Sequence, residues 1–233
     1  MAASGALVVG ASSSIGVAIA ARLAGSHDVL HLWGRDARAL ARAAERCGGG
    51  PSVRTTQVDV RDDEALRSSL ADVVGSGPLR TVVWVAGLFD WASAEQADPA
   101  TWHRVFDVNL TAASVLTAMA APHLVANAPS ALVLIGSGAG HAAYANNAAY
   151  VASKHGLTGL ARALFLDLRD SGVKVSLVSP GLVAAGGGLS SPAGQTWPEE
   201  LLQPDDVADA VEYVLRSPAH VCPTEIRLMP QRS

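Results

Sequence analysis

The sequence predicts a doubly wound α/β fold: one open parallel sheet with helices packed on both faces. Three observations predict it. Short apolar runs alternate with longer helix-like segments from end to end, which is the pattern of parallel βαβ units. Most of those runs are continuously apolar, as strands covered on both faces are. No repeat, linker or low-complexity tract interrupts the 233 residues, a length suited to one large domain over 1–233.

The elements follow in order. A first strand, Ala6–Gly10, leads through a glycine-bearing turn into a helix over Ile15–Ala24. A second strand, Asp28–Trp33, precedes a helix over Ala37–Cys47, with Asp36 at the N-cap position and Gly48 where the helix should stop. The third strand, Val53–Val58, carries Arg54, Thr55, Thr56 and Gln57 between its valines and is the weakest of the set. Asp62 begins a helix to Val74, and strand four is Thr81–Val85. A long helix, Pro99–Val125, comes before strand five, Ala131–Gly136. A second long helix, Ala148–Asp170, ends at Gly172 and is followed by strand six, Val173–Ser179. The last helix, Pro204–Arg216, and the last strand, Glu225–Leu228, close the pattern.

Composition narrows the function classes. With 49% hydrophobic and 16% charged residues, this is an ordered globular chain, large enough to bury a core without disulfides or a structural metal. A net charge of -4 exerts no long-range pull on nucleic acid or an anionic membrane. Cys47 and Cys222 are far apart and lack CxxC or histidine neighbours, so free thiols in a reducing cytoplasm are expected, and no metal site. Met1–Gly10 has no basic leader region. The apolar run Ala112–Ala126 is broken by Ser114, Thr117, Pro122 and His123 and falls short of a membrane span. The expectation is a cytoplasmic protein with a small-molecule substrate. Lys154 and Lys174 are the only lysines among 17 basic residues; with the many alanines and glycines, this reads as GC-rich codon usage.

The turn after the first strand reads Gly10-Ala11-Ser12-Ser13-Ser14-Ile15-Gly16. Gly10 permits a tight turn, and Gly16 lets the helix and strand backbones approach. The helix N-terminus then offers free N–H groups to a pyrophosphate. Gly10, Ser12, Ser14, Ile15 and Gly16 are the candidate contacts, although two glycines at such a place often only make a turn. Strand two ends in Gly34-Arg35. A carboxylate there would bond a ribose 2′-hydroxyl, whereas an arginine accommodates a 2′-phosphate. Arg35 therefore points to NADP(H) in preference to NAD(H). Asp59, just past strand three, either caps a turn or bonds an adenine amino group.

Three further features fall in order: Asn109 in the long helix, Ser137 at the end of strand five, and Tyr150 and Lys154 four residues apart in a helix. That spacing puts phenol and ammonium on one helix face. A phenol with a pKa of about 10 is a poor proton shuttle at neutral pH, and a neighbouring positive charge favours its ionised form. A surface lysine beside a half-buried tyrosine would show the same spacing, so the pair alone decides nothing.

Taken together, the glycine turn, Asp59, Ala86-Gly87, Asn109, Ser137, Tyr150, Lys154 and Ser179-Pro180-Gly181 resemble the short-chain dehydrogenase/reductase family, and the likeness runs from Ala6 to Leu228. The resemblance implies a Rossmann-like domain and an enzyme that uses a nicotinamide dinucleotide. It implies that Tyr150 exchanges a proton with the substrate oxygen and that Ser137 hydrogen-bonds the same oxygen. Lys154 would hold the nicotinamide ribose and bias Tyr150, while Asn109 would join Lys154 to a proton relay through a water. Ala86, Gly87, Pro180, Gly181 and Val183 would line the cofactor. A homodimer or homotetramer built on the two long helices is implied as well.

The chain departs from the family pattern at Val9, where threonine is usual, and at Ser14, where glycine is. Trp84-Val85 replaces two asparagines, and Ala184-Ala185 stands where a threonine often meets the carboxamide. The substrate loop is expected near 182–203, rich in Gly and Ala and without Arg or Lys, which favours a compact, largely neutral substrate; such a loop is commonly a lid. Trp197 within it, and His141 and Tyr144 before Tyr150, are candidate substrate contacts. Reversible carbonyl/alcohol redox, mainly as reduction, is the leading reading. The alternatives are a non-redox isomerase, dehydratase or cyclase using Tyr150, and a cofactor-sensing binding protein.

Overall fold

Seven strands form the sheet: β1 (Gly5–Val9), β2 (Val29–Gly34), β3 (Ser52–Gln57), β4 (Leu79–Trp84), β5 (Ser130–Ile135), β6 (Val173–Pro180) and β7 (Glu225–Leu228). A computed structural model describes residues 4–231, and in it the sheet order is β3-β2-β1-β4-β5-β6-β7 with every pairing parallel. The architecture is Rossmann-like. The order reverses between β1 and β4, and in such sheets the crevice for a ligand opens beyond the carboxyl ends of the strands at that point.

The helices are α1 (Ser14–Leu23), α2 (Ala37–Arg46), α3 (Asp63–Gly75), α4 (Pro99–Phe106), α5 (Ala112–Ala126), α6 (Ala148–Leu168), two short pieces α7 (Gly187–Ser190) and α8 (Pro192–Thr196), and α9 (Pro204–Arg216). Alternate residues of each strand feed opposite layers. Leu7 and Val9 of β1 join one core with Leu66, Leu116 and Leu157 from α3, α5 and α6. Ala6 and Val8 join the other with Ile19, Leu40 and Val211 from α1, α2 and α9. Burial on both faces is why the central strands read as unbroken apolar runs. β3 read poorly because it is an edge strand with four exposed positions of six.

Local chemistry sets the ends. Asp36 and Asp62 cap α2 and α3, each accepting from two backbone N–H groups. Asp98 does the same for α4, ahead of Pro99; the sequence reading had not singled it out. The long helix expected over Pro99–Val125 runs from Pro99 to Ala126, interrupted by a wide turn over Asp107–Thr111 with π-type bonding. Taken with the preceding turns, the continuous helix of 28 residues contains an 18-residue stretch of mean hydropathy 1.4, enough by length and composition alone to cross a membrane. Its inward residues Ala113, Leu116, Ala120 and Leu124 are packed into the sheet's core. Cys47 is buried, whereas Cys222 is only partly so.

Candidate active site

The turn after β1 is built by close backbone approach. Gly10 has φ +91, and a Cβ there would lie 2.6 Å from the Ala86 nitrogen. A Cβ at Gly16 would lie 2.3 Å from the Gly10 carbonyl oxygen. Neither position can carry a side chain unless backbone moves. Ser13, which sequence reasoning passed over, is the N-cap of α1: its Oγ accepts from Gly16 N at 3.1 Å and donates to the Gly10 carbonyl at 2.8 Å. Ser12 packs under Gly34, where a Cβ would sit 2.7 Å from its Oγ. Ser14 is exposed at the first helical position and Ile15 is half-buried beside it.

At the end of β2, Arg35 is exposed, and its side chain makes no hydrogen bond or ion pair among the described residues. Its positive charge is near enough to Asp59 to lower that carboxyl slightly. Asp59 is gripped by Arg61: Oδ1 accepts from Arg61 N and Nε at 3.1 and 3.0 Å, and Oδ2 from Nη2 at 2.5 Å. That pairing pulls the carboxyl down to about 2. The side chain foreseen as a turn cap or adenine contact is thus held by a neighbouring arginine that sequence reasoning did not name.

Beyond β4, β5 and β6 the other candidates converge. Asn109 sits in the π turn, fully buried; such turns recur at functional sites. Its Oδ1 accepts from Leu88 N at 2.7 Å, and its Nδ2 donates to the Leu88 carbonyl at 2.9 Å and to Ser153 Oγ at 3.0 Å. Ser137 follows β5, accepts from Ala139 N at 3.1 Å and lies close enough to the Tyr150 phenol to lower its pKa. Lys154 is buried, donates to the Ile135 carbonyl at 3.0 Å, and lies 5.7 Å from the Tyr150 ring centre. Gly87 borders both Asn109 and Lys154: a Cβ there would be 3.5 Å from Asn109 Oδ1 and 3.6 Å from Lys154 Nζ. Ala86 N donates to the Val9 carbonyl at 2.9 Å, tying this loop to the glycine turn.

After β6, Gly181 N donates to the Leu228 carbonyl at 2.7 Å, so Pro180-Gly181 is fixed against β7. Val183 is buried and bridges Leu202, closing the base of the 182–203 loop, which contains α7 and α8. The Tyr144 hydroxyl lies near Gly138, next to Ser137. Trp197 is half-exposed on the loop. His141 turns inward, its Nε2 3.1 Å from Ser179 Oγ and 3.3 Å from Glu225 Oε1, so its ring is engaged beneath the cleft.

Comparison with known proteins gives this arrangement its context. The family model for short chain dehydrogenases matches residues 4–195. The chain belongs to the short-chain dehydrogenase/reductase family. It is 32% identical over 236 residues to sulfoacetaldehyde reductase 2 of Chromohalobacter salexigens, covering 97% of this chain and 94% of that one. A metagenomic short-chain oxidoreductase solved in complex with NADP superposes with a TM-score of 0.84 at 29% identity, over 98% and 97% of the two chains. An alcohol dehydrogenase from the archaeon Thermococcus sibiricus, complexed with 5-hydroxy-NADP, gives 0.90 at 26% identity, over 99% and 97%. As a short-chain dehydrogenase/reductase, the chain is an NAD(P)-dependent oxidoreductase of small molecules.

The residues present fit such a cofactor. The turn brings helix and strand so close that a Cβ at Gly16 has no room. The Lys154 ammonium has three donors and one protein partner, the Ile135 carbonyl, among the described residues, which leaves two N–H groups for ribose hydroxyls. The departures from the family pattern are accommodated differently. Ser14 points to solvent, and Trp84 is buried in the core with its indole N–H unpartnered among the described residues, filling space where an amide would tie strands.

Burial pushes the Tyr150 phenol above its ordinary value, opposed by the nearby Ser137 hydroxyl. Lys154, whose ammonium lies 5.7 Å from the ring and donates to the Ile135 carbonyl, is itself pulled down to about 8 by burial. A lysine with a lowered folded pKa binds fewer protons folded than unfolded between about 8 and 10.5, so stability rises with pH across that window. Denaturant unfolding of the free protein should show a gain of about 3 kcal/mol from this group that Lys154→Met lacks. Parallel pH profiles for the two proteins would refute it.

Proposed function

We propose that this chain is an NADP(H)-dependent carbonyl reductase acting, mainly in the direction of reduction, on a small and largely neutral substrate. The convergence of the Ser137 hydroxyl, the Tyr150 phenol and the Lys154 ammonium at the Gly87 end of the cleft carries this reading. When bound, the nicotinamide supplies the hydride. Tyr150 donates its proton to the carbonyl oxygen, and its raised pKa keeps the phenol protonated at neutral pH, as an acid in reduction must be. Ser137 hydrogen-bonds the same oxygen and stabilises the charge developing on it. Lys154 uses its two remaining donors on the ribose. Asn109 fixes Leu88 and Ser153 around Lys154, leaving a second lone pair on Oδ1 for a water that returns a proton to the site.

Gly10, Ser12, Ser14, Ile15 and Gly16 receive the pyrophosphate, and Ala86, Gly87, Pro180, Gly181 and Val183 line the path to the nicotinamide. Tyr144 and Trp197 face the substrate. Exposed Val125 on α5 and Leu166 on α6 support a homodimer or homotetramer formed on those helices. The decisive experiment is NADPH consumption against a panel of ketones and aldehydes. Consumption matched to alcohol formed supports the reading. Conversion of a substrate with an unchanged nicotinamide spectrum would instead make this a non-redox member.

The free side chain of Arg35 supports NADP(H) over NAD(H). A charge-assisted contact to the 2′-phosphate is worth about 1.5 kcal/mol, or about tenfold in affinity. Arg35→Ala should weaken NADPH binding by that factor and leave NADH binding unchanged. Equal dissociation constants for the two cofactors in the unmodified protein would end the preference.

A further inference from the structure

The segment after Gly87 carries two large aromatic side chains that the roles above do not use. The Phe89 ring meets Tyr150 edge-on, with centroids 5.0 Å apart and planes at 68°. It stacks on Trp91 at 6.0 Å and 22°. Both remain open to solvent, Phe89 by 39% and Trp91 by 51%, although this strand-end segment is firmly held. Asn109 bonds both backbone groups of Leu88, and Ala92 N donates to the Asn146 carbonyl at 2.9 Å. Well-anchored backbone that presents exposed aromatics beside an acid/base tyrosine is not explained by core packing.

The substrate loop closes onto this same ring. A Cβ at Gly187 would lie 2.7 Å from Phe89 Cγ and 2.8 Å from Cδ1, so the Gly187 backbone rests on the ring with no side chain between. The loop is compact around that contact: a Cβ at Gly188 would fall 1.9 Å from the Val183 carbonyl oxygen. Phe89 therefore touches both the catalytic tyrosine and the glycine segment above it.

We propose that Phe89 determines substrate specificity: its ring seats the Gly186–Gly188 segment over the site, and with Trp91 it forms an aromatic wall that selects carbonyl compounds bearing a planar apolar group beside the reacting carbon. The selection rests on the reductase reading; the seating of the loop does not. The exposed part of the two rings offers a flat apolar surface on which an aryl group can stack, whereas a short alkyl chain covers less of it.

Two measurements test it. Hydrogen exchange on the free protein reads the seat. Phe89→Ala should speed exchange of the amides at 185–188 by up to about tenfold, the equivalent of one aromatic contact, and Phe89→Leu should speed it less. Gly187→Ala should loosen the same amides, but less so in the Phe89→Ala background, where the added methyl finds room. Unchanged exchange in Phe89→Ala, or fully additive effects in the double variant, would overturn the seat. NADPH consumption with an aryl ketone and an alkyl ketone of matched carbon number reads the wall. The unmodified protein should favour the aryl ketone by about tenfold in kcat/KM, carried by KM, and Phe89→Ala should collapse that ratio. A ratio that survives the substitution, or an alkyl preference at the outset, would overturn the wall. If neither ketone is reduced, the reductase reading fails by itself. The wall is then decided by calorimetric dissociation constants for the two ketones: tighter aryl binding lost in Phe89→Ala supports it, and equal binding overturns it.

Discussion

Tyr150→Phe should lower turnover by about 10²–10⁴-fold, the usual contribution of a general acid, while the fold and NADPH affinity survive. The substitution removes one oxygen atom. The ring keeps its edge contact with Phe89 and its place 5.7 Å from the Lys154 ammonium, and only the phenol's polar interaction with Ser137 is lost. Because Lys154 supplies the ribose contact in the proposed site, the dissociation constant should move little. Single-turnover loss of nicotinamide absorbance, with fluorescence titration of NADPH, separates the two quantities. Near-normal turnover in the variant would remove Tyr150 from the mechanism, whatever the fold.

Gly16→Ala should be the most damaging single-methyl change at the cofactor end. The added carbon would stand 2.3 Å from the Gly10 carbonyl oxygen and 2.7 Å from Ala11 Cα, and both are backbone atoms that cannot rotate away. Overpacking of this kind costs about 1–3 kcal/mol, and here it falls on the groups proposed to receive the pyrophosphate. NADPH affinity should therefore drop about 10- to 100-fold, with a lowered melting temperature. Gly49→Ala is the control, because a Cβ there meets nothing within 4 Å. If both variants bind NADPH like the unmodified protein, the close approach at Gly16 has no bearing on the cofactor.

Much of this molecule is legible one residue at a time, because its determinants are local. Continuous apolar runs marked the central strands, Asp36 and Asp62 marked helix starts, and the expected helix and strand limits lie within a residue or two of those observed. Asn109, Ser137, Tyr150 and Lys154 could be singled out by order and spacing, since those are set by the chain itself. What escaped depends on partners distant in sequence. Nothing near Phe89 announces that Gly187 will rest on it, 98 positions later. His141 is drawn inward by Ser179 and Glu225, and the upward shift of the Tyr150 phenol reflects burial that spacing does not encode. Two local features could have been read and were not: Ser13 as a cap three residues before Gly16, and Arg61 two residues after Asp59.

The scarcity of lysine has a chemical consequence once both lysines are placed. The Lys154 amine is buried, and the Lys174 amine spends its protons on the Ser217 carbonyl and hydroxyl and the Val214 carbonyl, at the end of α9. Every other side-chain cation of the arginine and lysine kind is a guanidinium, which stays charged and is a poor nucleophile at neutral pH. Acylating and aldehyde reagents therefore meet a buried amine at Lys154 and a partly exposed, hydrogen-bonded one at Lys174. Labelling at Lys154 thus reports an opening of the structure around it, with Lys174, at the opposite end of the sheet, as the accessible reference in the same molecule.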